Sequence, residues 1–147
     1  MKYDVIIIGW GKAGKTLAKT FSGDGKTVAV IERDEKMAGG TCINVACIPT
    51  KTLSVDSVKG TDYVDAFERR NLVVKKLNET NYQNLATEET IDIYFGEASF
   101  KNDRELIVRA GEERFSLKGA LVFINTGSES RIPNIRGIME SKHVYDS

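Results

Sequence analysis

The N-terminal segment places a strand, a glycine-rich turn and a helix in direct succession. Residues 3–8 are mainly aliphatic and β-branched, as in a strand buried on both faces of a parallel sheet. They run straight into Gly9-Trp10-Gly11-Lys12-Ala13-Gly14, which fits the pattern G-x-G-x-x-G. Apolar residues at helical spacing follow, and this helix is predicted to end near Gly23 or Gly25. No other stretch restricts the possible folds as strongly.

A second strand and an acidic residue complete this unit. Residues 27–31 read as another buried strand, and Glu32 stands at its end, about 20 residues past the glycines, as a dinucleotide-binding unit requires. Gly9, Gly11 and Gly14 would let a pyrophosphate approach the helix N-terminus, while Glu32 can accept hydrogen bonds from both ribose hydroxyls. A lone glycine motif can be merely a flexible turn, but the complete unit favours dinucleotide binding. The pattern alone does not separate FAD from NAD.

The chain has only two cysteines, and both lie in the stretch 39–51. Cys42 and Cys47 follow the pair Gly39-Gly40 and precede Pro49, a residue that fits the start of a helix. Thiols just before or within the first helical turn are expected to have a lowered pKa and to be reactive. The alternative is a pair of small buried apolar residues.

Two helices are predicted beyond the cysteine stretch. The first is expected to continue after Pro49 and to break near Gly60, and the second to span residues 62–78. Residues 82–90 form a polar connection that the pattern leaves unassigned.

The C-terminal half is predicted to be mainly β-structure. Short strands are expected over residues 91–95, 98–100, 105–109, 114–117 and 120–125, and an irregular tail follows. Together with the N-terminal unit, these strands predict an α/β fold: a Rossmann-like nucleotide-binding domain with a parallel sheet, helices and a small antiparallel insertion.

Length and charge limit the function classes. The 147 residues predict one domain, and 21 basic residues balance 21 acidic ones, so there is no electrostatic case for nucleic acid or an anionic membrane. No stretch approaches the ~20 apolar residues of a membrane span. A cytoplasmic protein is therefore expected, and in that compartment a close cysteine pair favours redox or metal chemistry over a structural disulfide.

The stretch 39–51 resembles the redox-disulfide signature of the pyridine nucleotide-disulfide oxidoreductases, G-G-T-C-x-N-x-G-C-x-P-x-K, with Ala46 at a position that is usually glycine. Gly96-Glu97-Ala98 resembles the family's segment near the adenine, and residues 124–128 resemble its returning strand, which ends in Thr-Gly. Residues 10–18, 39–53, 123–127 and 144–147 are similar to the bacterial reactive-chlorine-resistance flavoprotein reductases within that family.

This resemblance implies an FAD-binding domain over residues 1–147, the N-terminal part of a larger homodimeric enzyme that uses NAD(P)H. Cys47 would be the sulfur beside the flavin, Cys42 the interchange thiol, and Lys51 a cation near the flavin N5. The acceptor would be a small molecule or a metal ion, and this part alone is expected to be inactive. The implied cofactor contacts are Gly9, Gly11, Gly14, Glu32, Gly39, Gly40, Thr41, Cys42, Lys51, Ala98, Thr126 and Gly127.

Two other function classes remain open. A nucleotide-binding or thiol-switch module without turnover would need the same residues. A structural zinc site has less support, because such sites usually need four ligands and the chain offers two cysteines and the distant His143. We therefore expect no resident metal.

Overall fold

The computed structural model describes residues 1–144, so the last three residues of the 144–147 motif lie outside the described part of the chain. An α/β arrangement is seen, with all elements connected by short turns. In chain order the elements are β1 (Lys2–Ile8), α1 (Lys12–Gly23), β2 (Val28–Glu32), a 3-10 turn (Glu35–Met37), α2 (Thr41–Asn44), α3 (Cys47–Val58), α4 (Tyr63–Ala86), β3 (Ile91–Phe95), β4 (Glu97–Asn102), β5 (Glu105–Ala110) and β6 (Glu113–Ile124).

The six strands form one sheet in the order β3-β2-β1-β6-β5-β4. Strands β3, β2 and β1 run parallel to one another, and the second half of β6 runs parallel to β1. Strand β5 pairs in antiparallel fashion with β4 on one side and with the first half of β6 on the other. Lys118 marks the changeover, since it pairs with Lys2 of β1 on one side and with Glu105 of β5 on the other. The predicted fold class, a parallel sheet with a small antiparallel part, is confirmed.

Both faces of the parallel sheet are covered at its centre, which explains why residues 5–8 and 28–31 are apolar without interruption. On one face, Val5 and Ile7 pack with Ala18 of α1 and Leu85 of α4. On the other, Ile6 packs with residues of the antiparallel part, among them Leu106, Val108 and Leu117. Successive side chains of a strand point to opposite faces, so a strand covered on both sides has no polar face.

The structure corrects two predicted boundaries. The second helix does not end at residue 78, because α4 continues to Ala86 through most of the unassigned connection, where Asn81 and Leu85 are buried. The predicted strands 114–117 and 120–125 are one continuous strand, β6. Gly119 lies at its centre, where a Cβ atom would fall 2.9 Å from Ile6 Cγ1. This glycine therefore permits close packing on β1 and does not break the strand.

None of the described helices combines the length and apolar character that a membrane crossing requires.

Candidate active site

A groove of about 510 Å³ lies at the carboxyl ends of the parallel strands. In the sheet, β2 and β3 lie on one side of β1, and β6 lies on its other side. The groove therefore sits where the strand order reverses. Open α/β sheets bind their ligands at such a position. The predicted cofactor residues that line the groove are Gly9, Gly11, Glu32, Gly40, Thr41, Ala98, Thr126 and Gly127.

The glycine turn after β1 leaves no space for a side chain at Gly9 or Gly14. Gly9 has φ +99°, and a Cβ atom there would lie 2.2 Å from the backbone oxygen of Asn125. A Cβ atom on Gly14 would lie 2.5 Å from the oxygen of Gly9. Gly14 does not line the groove, and its role is to let α1 approach the turn.

Asn125 fixes this turn and was missed as a site residue. Its Nδ2 donates a hydrogen bond to the Gly9 oxygen at 3.1 Å, and the same atom would lie 2.6 Å from a Cβ atom on Gly14. The only signal in the sequence is that asparagine stands where the family more often has alanine. Nine further groove residues were not among the predicted cofactor contacts: Ile8, Trp10, Ile31, Arg33, Asp34, Met37, Gly96, Glu97 and Ser128.

Glu32 is oriented by two backbone amides. Its Oε2 accepts a hydrogen bond from the Trp10 nitrogen at 2.8 Å, and its Oε1 accepts one from the Asp34 nitrogen at 3.2 Å. Each carboxylate oxygen has a second acceptor position. Trp10 itself is fully buried and stacks on Phe95, so the amide that holds Glu32 is part of the core. The arrangement leaves a positioned carboxylate at the groove, as recognition of a ribose diol requires.

The loop of Gly39 and Gly40 joins the groove to the cysteines. Gly40 has φ +79°, and a Cβ atom there would lie 2.7 Å from the Gly11 Cα atom, so this loop touches the glycine turn directly. Gly39 (φ +91°) faces α4 and does not line the groove. Both residues need positive φ, which explains the glycine pair.

Two asparagines hold the loop in place. Asn44 Nδ2 donates to the backbone oxygens of Ala38 and Gly40, at 3.1 and 3.0 Å. Asn78 of α4 donates to Ala38 O at 3.2 Å and to Asn44 Oδ1 at 3.0 Å. Asn78 was not identified from the sequence, because its contacts are far apart along the chain.

The two cysteines lie in two different helices. Cys42 lies in the one-turn helix α2, and Cys47 is the first residue of α3. The helical pattern is interrupted between them at Val45 and Ala46. Both are free cysteines, with Cys47 exposed and Cys42 partly buried. Ala46 has φ −109°, so its methyl group requires no left-handed backbone.

Cys42 also departs from the expected electrostatics. Its hydrogen bond with Cys47, reinforced by burial, raises the pKa of the Cys42 thiol above the ordinary value, although Lys12 and Lys51 act in the opposite direction. The predicted lowering is therefore wrong for Cys42, because the hydrogen bond with Cys47 and burial outweigh the two lysines. Lys51 lies on α3, exposed, one turn after Cys47, and outside the groove lining.

His143 is exposed in the irregular tail. Within residues 1–144, no group of three or more histidine, cysteine or acidic side chains could hold a metal ion.

The family model for pyridine nucleotide-disulphide oxidoreductases matches residues 3–147. The chain belongs to this family. It is 48% identical over 146 residues to the probable pyridine nucleotide-disulfide oxidoreductase RclA of Escherichia coli, covering 99% of this chain and 33% of that protein. The dihydrolipoyl dehydrogenase of Acholeplasma laidlawii is 32% identical over 158 residues, covering 95% of this chain and 45% of that enzyme. The mercuric reductase of Staphylococcus aureus is 30% identical over 155 residues (94% and 27%).

Solved structures agree with this family assignment. The HOCl-induced flavoprotein disulfide reductase RclA from Escherichia coli superposes with a TM-score of 0.91 at 46% identity, over 97% of this chain and 32% of that one. Its Cu(II) complex gives a TM-score of 0.93 at the same identity and the same coverage. The predicted family, and with it the oxidoreductase class, is confirmed. The chain spans between a third and a half of the first two curated relatives, so the activity of the whole protein remains a matter for proposal.

Proposed function

We propose that this chain is the FAD-binding part of an NAD(P)H-dependent flavoprotein disulfide oxidoreductase. In the whole enzyme, electrons would pass from reduced flavin to the Cys42–Cys47 pair and on to an acceptor. The observation that carries this proposal is the contact between Gly40 and Gly11, which joins the dinucleotide groove to the loop leading into Cys42. A nucleotide cofactor in the groove would then lie next to the loop that leads into the redox thiols.

The residues present fit an FAD molecule. Gly11 begins α1 without a side-chain cap, so the first N–H groups of that helix are left to bind an anion such as a pyrophosphate. The glycines leave room for backbone contact, and Glu32 offers its carboxylate to a ribose. Thr126 and Gly127, which follow β6, and Ala98 on β4 complete the lining.

When bound, FAD would supply two-electron exchange between nicotinamide and sulfur. The chain's own part is the interconversion of disulfide and dithiol: two electrons and two protons convert the Cys42–Cys47 disulfide to two thiols, and the reverse step reduces the acceptor. Cys47 would face the flavin, and Cys42 would attack the acceptor. The Lys51 ammonium would offset negative charge near the thiols.

Properties of the whole enzyme are part of this proposal. By similarity to relatives described as mercuric reductase and as a Cu(II) complex, the acceptor is a metal ion or a small molecule. The enzyme would be a cytoplasmic homodimer, with its NAD(P)H and dimerisation domains outside residues 1–147. A thiol switch without turnover is the second candidate, favoured by the exposed free thiol of Cys47.

Titration of the 147-residue chain with FAD, followed by flavin fluorescence, tests the groove. Glu32→Gln should weaken binding by about ten-fold or more, because a hydrogen bond to a charged group contributes about 1.5–3 kcal/mol. Glu35→Gln is the matched control, since Glu35 is exposed and lies outside the groove. Equal FAD affinities for the two variants would contradict the assignment of Glu32.

The thiol roles require the whole enzyme. We expect its reduced Cys42→Ser variant to keep the long-wavelength absorbance of a thiolate beside flavin, and its Cys47→Ser variant to lose it. The reverse pattern would exchange the two roles. Turnover with NAD(P)H that survives both substitutions would favour a flavoprotein whose thiols take no part.

A further inference from the structure

No single helix fixes the distance between the sulfur atoms of Cys42 and Cys47, because the two residues lie in different helices. Cys42 is in α2, which has one turn, and a helix this short is not stable by its own hydrogen bonds. Cys47 begins α3, which packs along α4. The contacts that hold α2 and α3 therefore decide how closely the two thiols are kept together.

Asn78 of α4 ties down the chain segment that contains Cys42. Its Nδ2 lies within hydrogen-bonding distance of three acceptors: the backbone oxygens of Lys36 (2.7 Å) and Ala38 (3.2 Å), and Oδ1 of Asn44 (3.0 Å). An amide nitrogen has two hydrogens, so one of these bonds is shared between two acceptors. Asn44 is the last residue of α2, and its own Nδ2 donates to two backbone oxygens of the preceding loop. The two amides together hold α2 and its loop against α4.

Helix α4 also holds α3. Arg69 of α4 donates through Nη1 to both carboxylate oxygens of Asp56, at 3.0 and 2.8 Å, and Asp56 is buried near the end of α3. Both cysteine-bearing helices are thus fixed to the same support. Asn78 provides the hydrogen bonds that join this support to the helix of Cys42.

This support has a consequence for disulfide formation. Closing an S–S bond requires an ordered chain between the two sulfur atoms, and ordering a flexible chain costs conformational entropy. Where tertiary contacts have already ordered the chain, that cost no longer opposes the closure. A firmly held pair of thiols therefore forms its disulfide with a larger equilibrium constant than a loosely held pair.

We propose that Asn78 is a positioning residue that sets the disulfide–dithiol equilibrium of Cys42 and Cys47. It acts through Asn44 and the loop before α2, and it touches neither substrate nor cofactor. This deepens the proposed function, which requires the pair to alternate between disulfide and dithiol. Loss of the hydrogen bonds from Asn78 should shift the pair towards the dithiol.

The 147-residue chain, without FAD, is equilibrated with mixtures of glutathione and glutathione disulfide. As the S–S bond forms, the two thiols give up two electrons and two protons, which convert glutathione disulfide to two molecules of glutathione. The oxidised fraction is measured by mass spectrometry after the remaining thiols are alkylated. This experiment reports an equilibrium constant for the folded chain, which a change in overall stability alone does not move.

Asn78→Leu keeps the approximate shape of the side chain and removes the donor. We expect it to lower the equilibrium constant for disulfide formation about five-fold, which corresponds to the ~1 kcal/mol of one hydrogen bond. Asn78→Ala, a smaller change for the case that leucine disturbs the packing, should lower it to a similar extent. Asn84→Leu is the matched control, because Asn84 is exposed on the same helix, and it should leave the constant unchanged. Glu105→Gln, in the antiparallel part of the sheet, controls for a general loss of stability and should also leave it unchanged.

Equal constants for the parent and the two Asn78 variants would overturn the proposal. An equal decrease in Glu105→Gln would do the same, because it would assign the effect to stability and not to the position of α2. A pair that stays reduced in every glutathione mixture would refute this proposal together with the redox role of the cysteines. Failure to bind FAD, in contrast, would refute the cofactor assignment and leave the glutathione equilibria to decide the role of Asn78.

Discussion

Replacing Gly14 with alanine should destabilise the domain, although alanine is the better helix former. Gly14 lies in α1, where an alanine would by itself stabilise the helix by about 0.5–1 kcal/mol. Its Cβ atom, however, would lie 2.5 Å from the Gly9 oxygen and 2.6 Å from Asn125 Nδ2. Overpacking costs about 1–3 kcal/mol, and a backbone oxygen cannot rotate away. We therefore expect a net loss of about 1–2 kcal/mol in the free energy of unfolding.

Gly23 at the end of the same helix is the matched control, because no atom lies within 4 Å of a Cβ atom built there. Gly23→Ala should be neutral or stabilising by up to ~1 kcal/mol. Urea unfolding can be followed by the fluorescence of Trp10, the single tryptophan, which is fully buried next to the turn. Equal unfolding free energies for Gly14→Ala and Gly23→Ala would refute the steric argument.

Two further predictions concern buried carboxylates. Hydrogen bonds from Ser116 and Lys101 lower the pKa of Glu105 to about 2, so its contribution to stability is complete above pH ~4.5 and lost as the pH falls towards 2. Glu105→Gln should therefore lower the urea midpoint at pH 7 and match the parent near pH 2. The second prediction concerns Arg69, whose Nη1 donates to the buried carboxylate of Asp56 at 2.8 Å. Arg69→Met leaves this carboxylate without its donor and should lower the free energy of unfolding in urea by about 1–3 kcal/mol.

The Arg69→Met prediction has a control in the exposed pair Lys75–Glu79, whose charged atoms are 4.0 Å apart. Lys75→Met should change the unfolding free energy by less than about 0.5 kcal/mol. Equal effects of Lys75→Met and Arg69→Met would contradict the role assigned to Asp56. For Glu105, a midpoint difference that persists unchanged down to pH 2 would show that packing, and not ionisation, is responsible.

Local patterns correctly predicted the unit of strand, glycine turn, helix and second strand. Strands β1 and β2 are covered on both faces, so their aliphatic runs were visible without knowledge of the partners. The end of α4 was not visible, because Asn81 and Leu85 are buried by contacts with distant elements and follow no simple apolar period. The sequence predicted two strands, 114–117 and 120–125, in place of the single strand β6, because the close contact of Gly119 with Ile6 exists only in the folded sheet.

By itself, the sequence determined the glycine turn, Glu32 and the cysteine pair, since each depends on backbone constraints or spacing within a short segment. The tertiary structure decided which distant groups support them: Asn125, 116 residues from Gly9, and Asn78, 34 residues from Asn44. It also placed the two cysteines in separate helical turns and raised the pKa of Cys42. The physical reason is that hydrogen bonding and burial depend on distances in space, and residues far apart in the chain share no local period.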